Sequence, residues 1–178
     1  PWEALLANRL ARHFPIYNEV LNPGLVVANI RKLNEWLPPK VVWSTVKVLC
    51  NGLMSNQRMQ IVNSPCRLCN GDGGDCIEHL IHCMHFIGFL GDHFPGVQPL
   101  FGPVLGVSRS FLNGNLSKET LIATAVGHDL LNNAINSLHL GWREAPPEKI
   151  FLARLRVLCR TCPAVAKLLR RHLAYPQT

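Results

Sequence analysis

The stretch PCRLCNGDGGDCIEHLIHC, residues 65–83, decides the fold of this chain. Its first pair is Cys66-x2-Cys69, and after nine further residues it continues with His79-x3-Cys83. A C-x-x-C pair on a tight turn can direct two thiolates toward one point. His79 and Cys83 are four residues apart, so a helix would place both side chains on one face. These four donors predict a closed tetrahedral Cys3His site, the geometry of structural zinc, which leaves no open position for a substrate.

The choice of ligands within this stretch depends on the local backbone. Asn70-Gly71 supplies the permissive backbone that a turn after the second cysteine needs. Three further potential donors lie nearby: Cys76, His82 and His85. We select His79 because it shares a helical face with Cys83, whereas His82 would point well away around the helix. The alternative, ordinary buried cysteines with a surface histidine, fits the regular spacing less well.

Length and composition indicate one folded domain, or one domain with a small appendage. The chain has 178 residues, of which 48% are hydrophobic, and this is enough for a core. No apolar run approaches the roughly 18 residues of a membrane span, and no secretory signal peptide is visible. Seven cysteines with two C-x-x-C pairs predict metal binding in an intracellular, reducing compartment rather than a disulfide framework. Because the chain begins with Pro1, we expect a removed leader, such as a mitochondrial transit peptide, or a piece of a larger product.

Positive charge is concentrated at the C-terminal end of the chain. The net charge is +7, and from residue 148 onward seven basic residues accompany a single acid, Glu148. The cysteine-containing stretch is acidic instead. This asymmetry predicts RNA phosphates as the partner of the C-terminal helices, with a merely solvated basic face as the alternative. The residues predicted to contact nucleic acid are Lys149, Arg156, Arg160, Lys167, Arg170 and Arg171.

Hydrophobic periodicity predicts a mainly α fold: a helical domain organised around the Cys3His zinc knuckle, with C-terminal helices packed on it. The strongest repeats cover residues 40–51, 118–140 and 148–162, and weaker helical patterns cover 2–13, 25–37, 53–63 and 163–174. We expect five to seven helices and no sheet. The predicted segments are a helical zinc-binding module (1–94), a Gly/Pro-rich connection (95–116) and a basic C-terminal helical region (117–178).

Several polar and aromatic positions have two possible roles. The stripe of His128, Asn132, Asn136 and His139 in the 118–140 helix is predicted to be a solvated face. The four tryptophans are predicted to be core or interface anchors rather than platforms for base stacking. Cys159-x2-Cys162 and His172 repeat the spacing of the first three ligands. Because no fourth ligand is in register, buried free thiols are the preferred interpretation.

Signatures of catalysis are missing from the sequence. It contains no P-loop, no G-x-G-x-x-G between a strand and a helix, no G-x-S-x-G and no H-E-x-x-H. The acidic residues are too few and too scattered for the metal cluster of a polymerase or nuclease. We therefore expect a protein that is not an enzyme and that has no small-molecule substrate and no membrane association.

Residues 35–86 resemble a known family, the zinc-binding domain at the C-terminal end of non-LTR retrotransposon reverse transcriptases. That family has a Trp-containing helix after Leu-Pro, an Asn-Gly turn, an arginine-bearing segment, C-x2-C, an acidic spot, His-Leu and a final Cys. The matching positions are Leu37-Pro38, Trp43, Asn51-Gly52, Arg58, Cys66, Cys69, Asp75-Cys76, His79-Leu80 and Cys83. Cys76 departs from the small hydroxyl residue of the family, and nothing after Phe94 is covered.

The resemblance implies a non-catalytic zinc module associated with nucleic acid, without polymerase activity. Together with the basic C-terminal end, it leads us to expect an RNA-binding structural component of a large ribonucleoprotein, such as an organellar ribosome, in contact with structured RNA and neighbouring proteins. One alternative is the C-terminal piece of a retroelement reverse transcriptase. Another is a helical protein–protein adaptor.

Overall fold

The computed structural model describes residues 2–13, 22–61, 64–94, 116–139 and 145–172. Eight helices and no strand lie within these ranges, so the predicted mainly α fold is confirmed. None of the helices in these ranges is long and apolar enough to cross a membrane. The helices are α1 (Trp2–His13), α2 (Pro23–Trp36), α3 (Pro39–Leu49), α4 (Ile77–Leu80), α5 (Met84–His93), α6 (Lys118–His139), α7 (Pro147–Thr161) and α8 (Pro163–His172).

Local sequence explains where the main helices begin and end. The side chain of Asn22 accepts a hydrogen bond from the backbone N–H of Leu25 (3.0 Å) and caps α2. Proline stands in the first turn of α2, α3 and α7, where its missing N–H costs no helical hydrogen bond. After α3, Asn51 adopts a positive φ of 51° and reverses the chain.

Helix α6 is the central helix of the fold. Every residue from 121 to 132 is buried, because α3, α7, α8 and α2 all pack against it. The predicted solvated stripe is therefore wrong for its first two residues: His128 is fully buried, and Asn132 is 7% exposed, whereas Asn136 and His139 are half-buried. Asn132 donates from Nδ2 to the hydroxyl of Ser44 on α3 (3.2 Å), so part of the stripe makes contact between helices.

Two local predictions differ from the structure. Residues 53–61 form a series of turns rather than a helix. Part of their backbone is hydrogen-bonded to residues 65–83, called the metal stretch below; Gln57 N–H, for example, donates to Asp75 O (3.2 Å). The one helix expected to carry His79 and Cys83 is divided into two short helices, α4 and α5, and the described helices number eight rather than the expected five to seven. Of the predicted connection, residues 95–115 lie outside the described residues.

One hydrophobic core contains residues from both sides of that connection. Near the metal stretch, Phe86 and Phe89 of α5 pack against Phe151 of α7, with ring centroids 5.8 and 5.1 Å apart. This contact fixes α7 beside the helix that follows the last predicted ligand.

Candidate metal centre

The structure brings together the four predicted donors. The ligand atoms of Cys66, Cys69, His79 and Cys83 all lie within 4.8 Å of one another, so the group could hold a metal ion. The sulfurs of Cys66 and Cys83 are 4.0 Å apart, and Cys69 Sγ is 3.3 Å from His79 Nε2. A tetrahedron with zinc–sulfur bonds of about 2.3 Å has sulfurs about 3.8 Å apart. The donor spacing therefore fits a zinc-sized ion.

The first two ligands lie on a tight turn with its own hydrogen bonds. Asn70 N–H donates to Cys66 O (2.8 Å), and Cys66 N–H donates to Gly71 O (3.1 Å). The N–H groups of Leu68 and Gly71 donate to the sulfurs of Cys66 and Cys69, each over 3.4 Å. Such bonds stabilise thiolates. Asn70 provides the positive φ (56°) that closes the turn, which agrees with the predicted Asn-Gly signal.

His79 and Cys83 are not on one continuous helix, so this part of the prediction is wrong. His79 belongs to the single turn α4, and Cys83 lies at the boundary before α5 with ψ at 127°. Between them the backbone forms a tighter turn of the 3₁₀ type, because Cys83 N–H donates to the carbonyl of Leu80, three residues earlier (3.4 Å). The two side chains nevertheless reach the same point.

Gly73 is a site residue that the sequence reasoning missed. A β-carbon at this position would lie 2.0 Å from Nδ1 and 2.5 Å from Cε1 of the His79 ring. Only glycine therefore lets the loop lie against this ring. The available signal in the sequence was the Gly-Gly pair at 73–74, between the two pairs of ligands.

The other potential donors have different partners. Cys76 Sγ contacts Gly73 O at 3.8 Å, and His82 donates from Nδ1 to Glu78 O (2.7 Å). His85 contacts the carboxylate of Glu148 on α7. The choice of His79 agrees with these positions.

A buried ion pair holds the metal stretch against the rest of the fold. The guanidinium of Arg67 lies 2.7 Å from Asp75 Oδ2, which also accepts from Asn56 N–H (2.6 Å). Arg67 also donates to the carbonyl of Met54 and, over 3.4 Å, to that of Ile135 on α6. The ligand loop is thereby tied to the preceding turns and to the central helix.

The two buried sulfurs differ in their affinity for a proton. The hydrogen bond from Cys66 to Cys83, together with burial, raises the pKa of the Cys66 thiol far above its ordinary value. The same bond lowers the pKa of Cys83. Coordination by both sulfurs therefore requires Cys66 to release its proton, so metal affinity must rise with pH.

The second cysteine pair is not part of a metal-binding group among the described residues. Cys162 is buried with its sulfur 3.9 Å from Trp36 O, and burial raises the pKa of Cys159. The side chain of His172 lies outside the described part of the chain. Because His172 was the third candidate donor, the interpretation as free thiols stays a prediction.

The predicted phosphate contacts lie on α7 and α8. Of these six residues, Arg171 has no described side chain. The other five are exposed, and none of them forms an ion pair with another described residue: Lys149, Arg156, Arg160, Lys167 and Arg170.

Fold and donors together define a class: an α-helical protein with a closed Cys3His group that could hold a metal ion. Comparison with protein-family models, with curated proteins and with solved structures found no match.

Proposed function

We propose that this chain is a non-catalytic, zinc-stabilised RNA-binding component of a large ribonucleoprotein. The observation that carries the proposal is the row of exposed, unpaired basic side chains on α7 and α8. Unpaired basic side chains can neutralise phosphates without first breaking an internal ion pair.

The basic row has a regular geometry on α7. Lys149, Arg156 and Arg160 lie within an arc of about 40° around the helix and extend over about 16 Å along it. The one acid of this helix, Glu148, contacts His85, and Arg154 contacts Asp129. The remaining charge of the helix is therefore positive and faces solvent, as expected of a phosphate-binding face.

Zinc has a structural role in this proposal. Cys66, Cys69, His79 and Cys83 would hold the ion with four protein ligands, and such a closed site leaves no position for water or substrate. Cys66 and Cys83 are fully buried and Cys69 and His79 are half-buried, a position that suits an ion with a structural role. Reduced thiolates are required as ligands, so we place the protein in an intracellular, reducing compartment, with the mitochondrion as one candidate.

A specific observation favours a second candidate, the C-terminal nucleic-acid-binding module of a retroelement reverse transcriptase. Positions that carry the resemblance to that family contact one another. Arg58 donates to the carbonyl of Asn51 in the Asn-Gly turn. Asp75 accepts at its backbone from Gln57, directly before Arg58. These residues thus support the metal stretch as one structural unit.

Salt dependence of RNA binding tests the proposal. Arg156→Gln/Arg160→Gln removes two charges from the basic row, while Arg12→Gln/Arg31→Gln removes two charges that are also exposed from α1 and α2. Each phosphate contact contributes about 0.7 to 0.9 to the slope of log affinity against log salt. We expect the first variant to lower the slope by about 1.4 to 1.8, and the control to leave it nearly unchanged.

Competition between structured RNA and duplex DNA distinguishes the ribonucleoprotein component from the retroelement module. Preference for structured RNA over duplex DNA supports the ribonucleoprotein component, and the reverse preference supports the retroelement module. Equal slopes for the two double variants and the wild type would contradict both, and the adaptor would become the leading interpretation.

A further inference from the structure

Helix α3 exposes one narrow strip to solvent. Seven of its eleven residues are buried: Val41, Val42, Ser44, Thr45, Val46, Val48 and Leu49. Beyond Pro39 at its start, the accessible residues are Lys40, Trp43 and Lys47. Trp43 is 58% exposed. Of the two roles predicted for the tryptophans, core residue or interface anchor, the core role is therefore wrong for Trp43, whereas the interface role stays a prediction.

The two lysines flank the exposed indole. Lys40 precedes Trp43 by about 4.5 Å along the helix axis, Lys47 follows it by about 6 Å, and all three lie within an arc of about 60°. Lys40 is in the first turn of α3, where the positive end of the helix dipole disfavours a cation. The position of Lys40 thus has no explanation in the stability of the helix.

The surroundings of the strip are also basic. Helix α3 contains no acidic residue. At its C-terminal end, Arg9 of α1 is close enough to Cys50 to oppose the rise in the pKa of this thiol that burial causes. Arg58 reaches the carbonyl of Asn51. An extended polyanion along α3 would therefore meet further cations beyond the C-terminal end of the strip.

We propose that this strip is a binding site for single-stranded nucleic acid, with a base stacked on Trp43 and the adjoining phosphates at Lys40 and Lys47. The proposal rests on the nucleic-acid function proposed above and adds a second contact surface to it. An aromatic platform between cations is the arrangement by which proteins bind single strands without sequence preference.

Two observations favour a nucleic acid over a protein as the occupant. Lysine is depleted at the centre of protein–protein interfaces, yet here two lysines border the only large apolar side chain of the strip. Trp36 provides the internal comparison, since its ring already has Lys118 Nζ 4.5 Å above it. Trp43 has no aromatic or cationic partner among the described residues, so its ring remains available to a base.

Tryptophan fluorescence with a short oligouridine tests the proposal. Stacking should quench the fluorescence of Trp43, and Trp43→Phe should abolish this quenching while retaining most of the affinity, because phenylalanine also stacks. Trp43→Leu keeps an apolar side chain without the ring, and we expect it to weaken binding about tenfold. Lys40→Gln/Lys47→Gln should lower the salt slope by about 1.4, the single-strand value for two contacts.

Met84→Ala serves as the control, because Met84 is a more exposed apolar residue on another helix, at 77%. It should change neither quenching nor affinity. If Trp43→Leu and Trp43→Phe bind oligouridine equally well, stacking on the ring is excluded and this proposal fails. If the wild type binds structured RNA through α7 and oligouridine causes no quenching, this proposal fails while the proposed function stands. If the wild type binds no RNA, both fail.

Discussion

Arg154 on α7 donates from Nε to Oδ2 of Asp129 on α6 over 2.7 Å. The other oxygen of Asp129 accepts from the hydroxyl of Ser44 on α3 (2.9 Å), which also receives the side-chain amide of Asn132. The carboxylate is 2% exposed and the guanidinium 14%. One ion pair thus connects the helix of the proposed RNA surface to the central helix, and through it to the helix that bears Trp43.

Removing the cation of this pair should strongly destabilise the fold. Arg154→Met leaves the Asp129 carboxylate buried without its charge partner, which costs about 3 to 5 kcal/mol in comparable pairs. Arg156→Met, two residues later on the exposed side of α7, should change the free energy of unfolding by less than about 0.5 kcal/mol. Urea denaturation of both variants at one fixed zinc concentration provides the measurement. Equal stabilities would show that the ion pair contributes nothing.

Gly73→Ala should weaken metal binding by displacing the His79 ring. The added β-carbon would overlap Nδ1 and Cε1, so the imidazole has to rotate away from the cysteines. Changes next to metal ligands typically cost about 10- to 100-fold in affinity. Gly88→Ala is the control, because a β-carbon there meets no atom within 4 Å and alanine favours the surrounding helix. Competition with a chromogenic chelator measures both affinities; identical values would rule out the steric role of Gly73.

The metal ligands could be predicted from the sequence because coordination is a requirement of short range. Cys66 and Cys69 share one turn, His79 and Cys83 are close in the chain, and the loop between them has the right length. The mainly helical fold could be predicted for a similar reason, since the apolar repeats of α3, α6 and α7 are local. The nucleic-acid contacts on α7 stay predictions; the structure adds only that the side chains are exposed and unpaired.

Features that depend on distant partners could not be predicted. Asn132 looked like a solvent-facing residue because its partner, Ser44, is 88 positions away. Trp43 fits the apolar repeat of α3. No feature of the neighbouring sequence shows that other helices cover most of α3 but leave this indole exposed. The interruption at Cys83 could not be predicted because the spacing of His79 and Cys83 also fits one continuous helix, and only the convergence of four ligands requires the tighter turn.

Phe151→Ala should destabilise the packing of α7 beside the metal stretch. Phe151 is fully buried and contacts both Phe86 and Phe89 of α5, so its loss leaves a cavity that costs about 3 to 5 kcal/mol. Val157→Ala on the same helix removes a side chain that is 45% exposed and should cost less than about 0.5 kcal/mol. Thermal unfolding followed by circular dichroism compares the two. A similar midpoint for both would mean that the aromatic contact is dispensable.

Cys69→Ser should abolish the metal site and unfold the region around it. One zinc per chain is expected in the wild type. Because the four donors converge only in the folded stretch, the binding free energy, on the order of 10 kcal/mol for such sites, is also folding free energy. Cys76→Ser is the matched control, since it changes a cysteine of the same loop that is not among the four converging donors and whose sulfur contacts Gly73 O. Elemental analysis should find zinc in the control and none in Cys69→Ser, and amide exchange in residues 64–94 should become fast only in the latter.

A strong chelator should cause the same fast amide exchange in the wild type, and acidification should assist the release of the metal because Cys66 regains its proton. Full zinc content in Cys69→Ser would contradict the assigned ligand set.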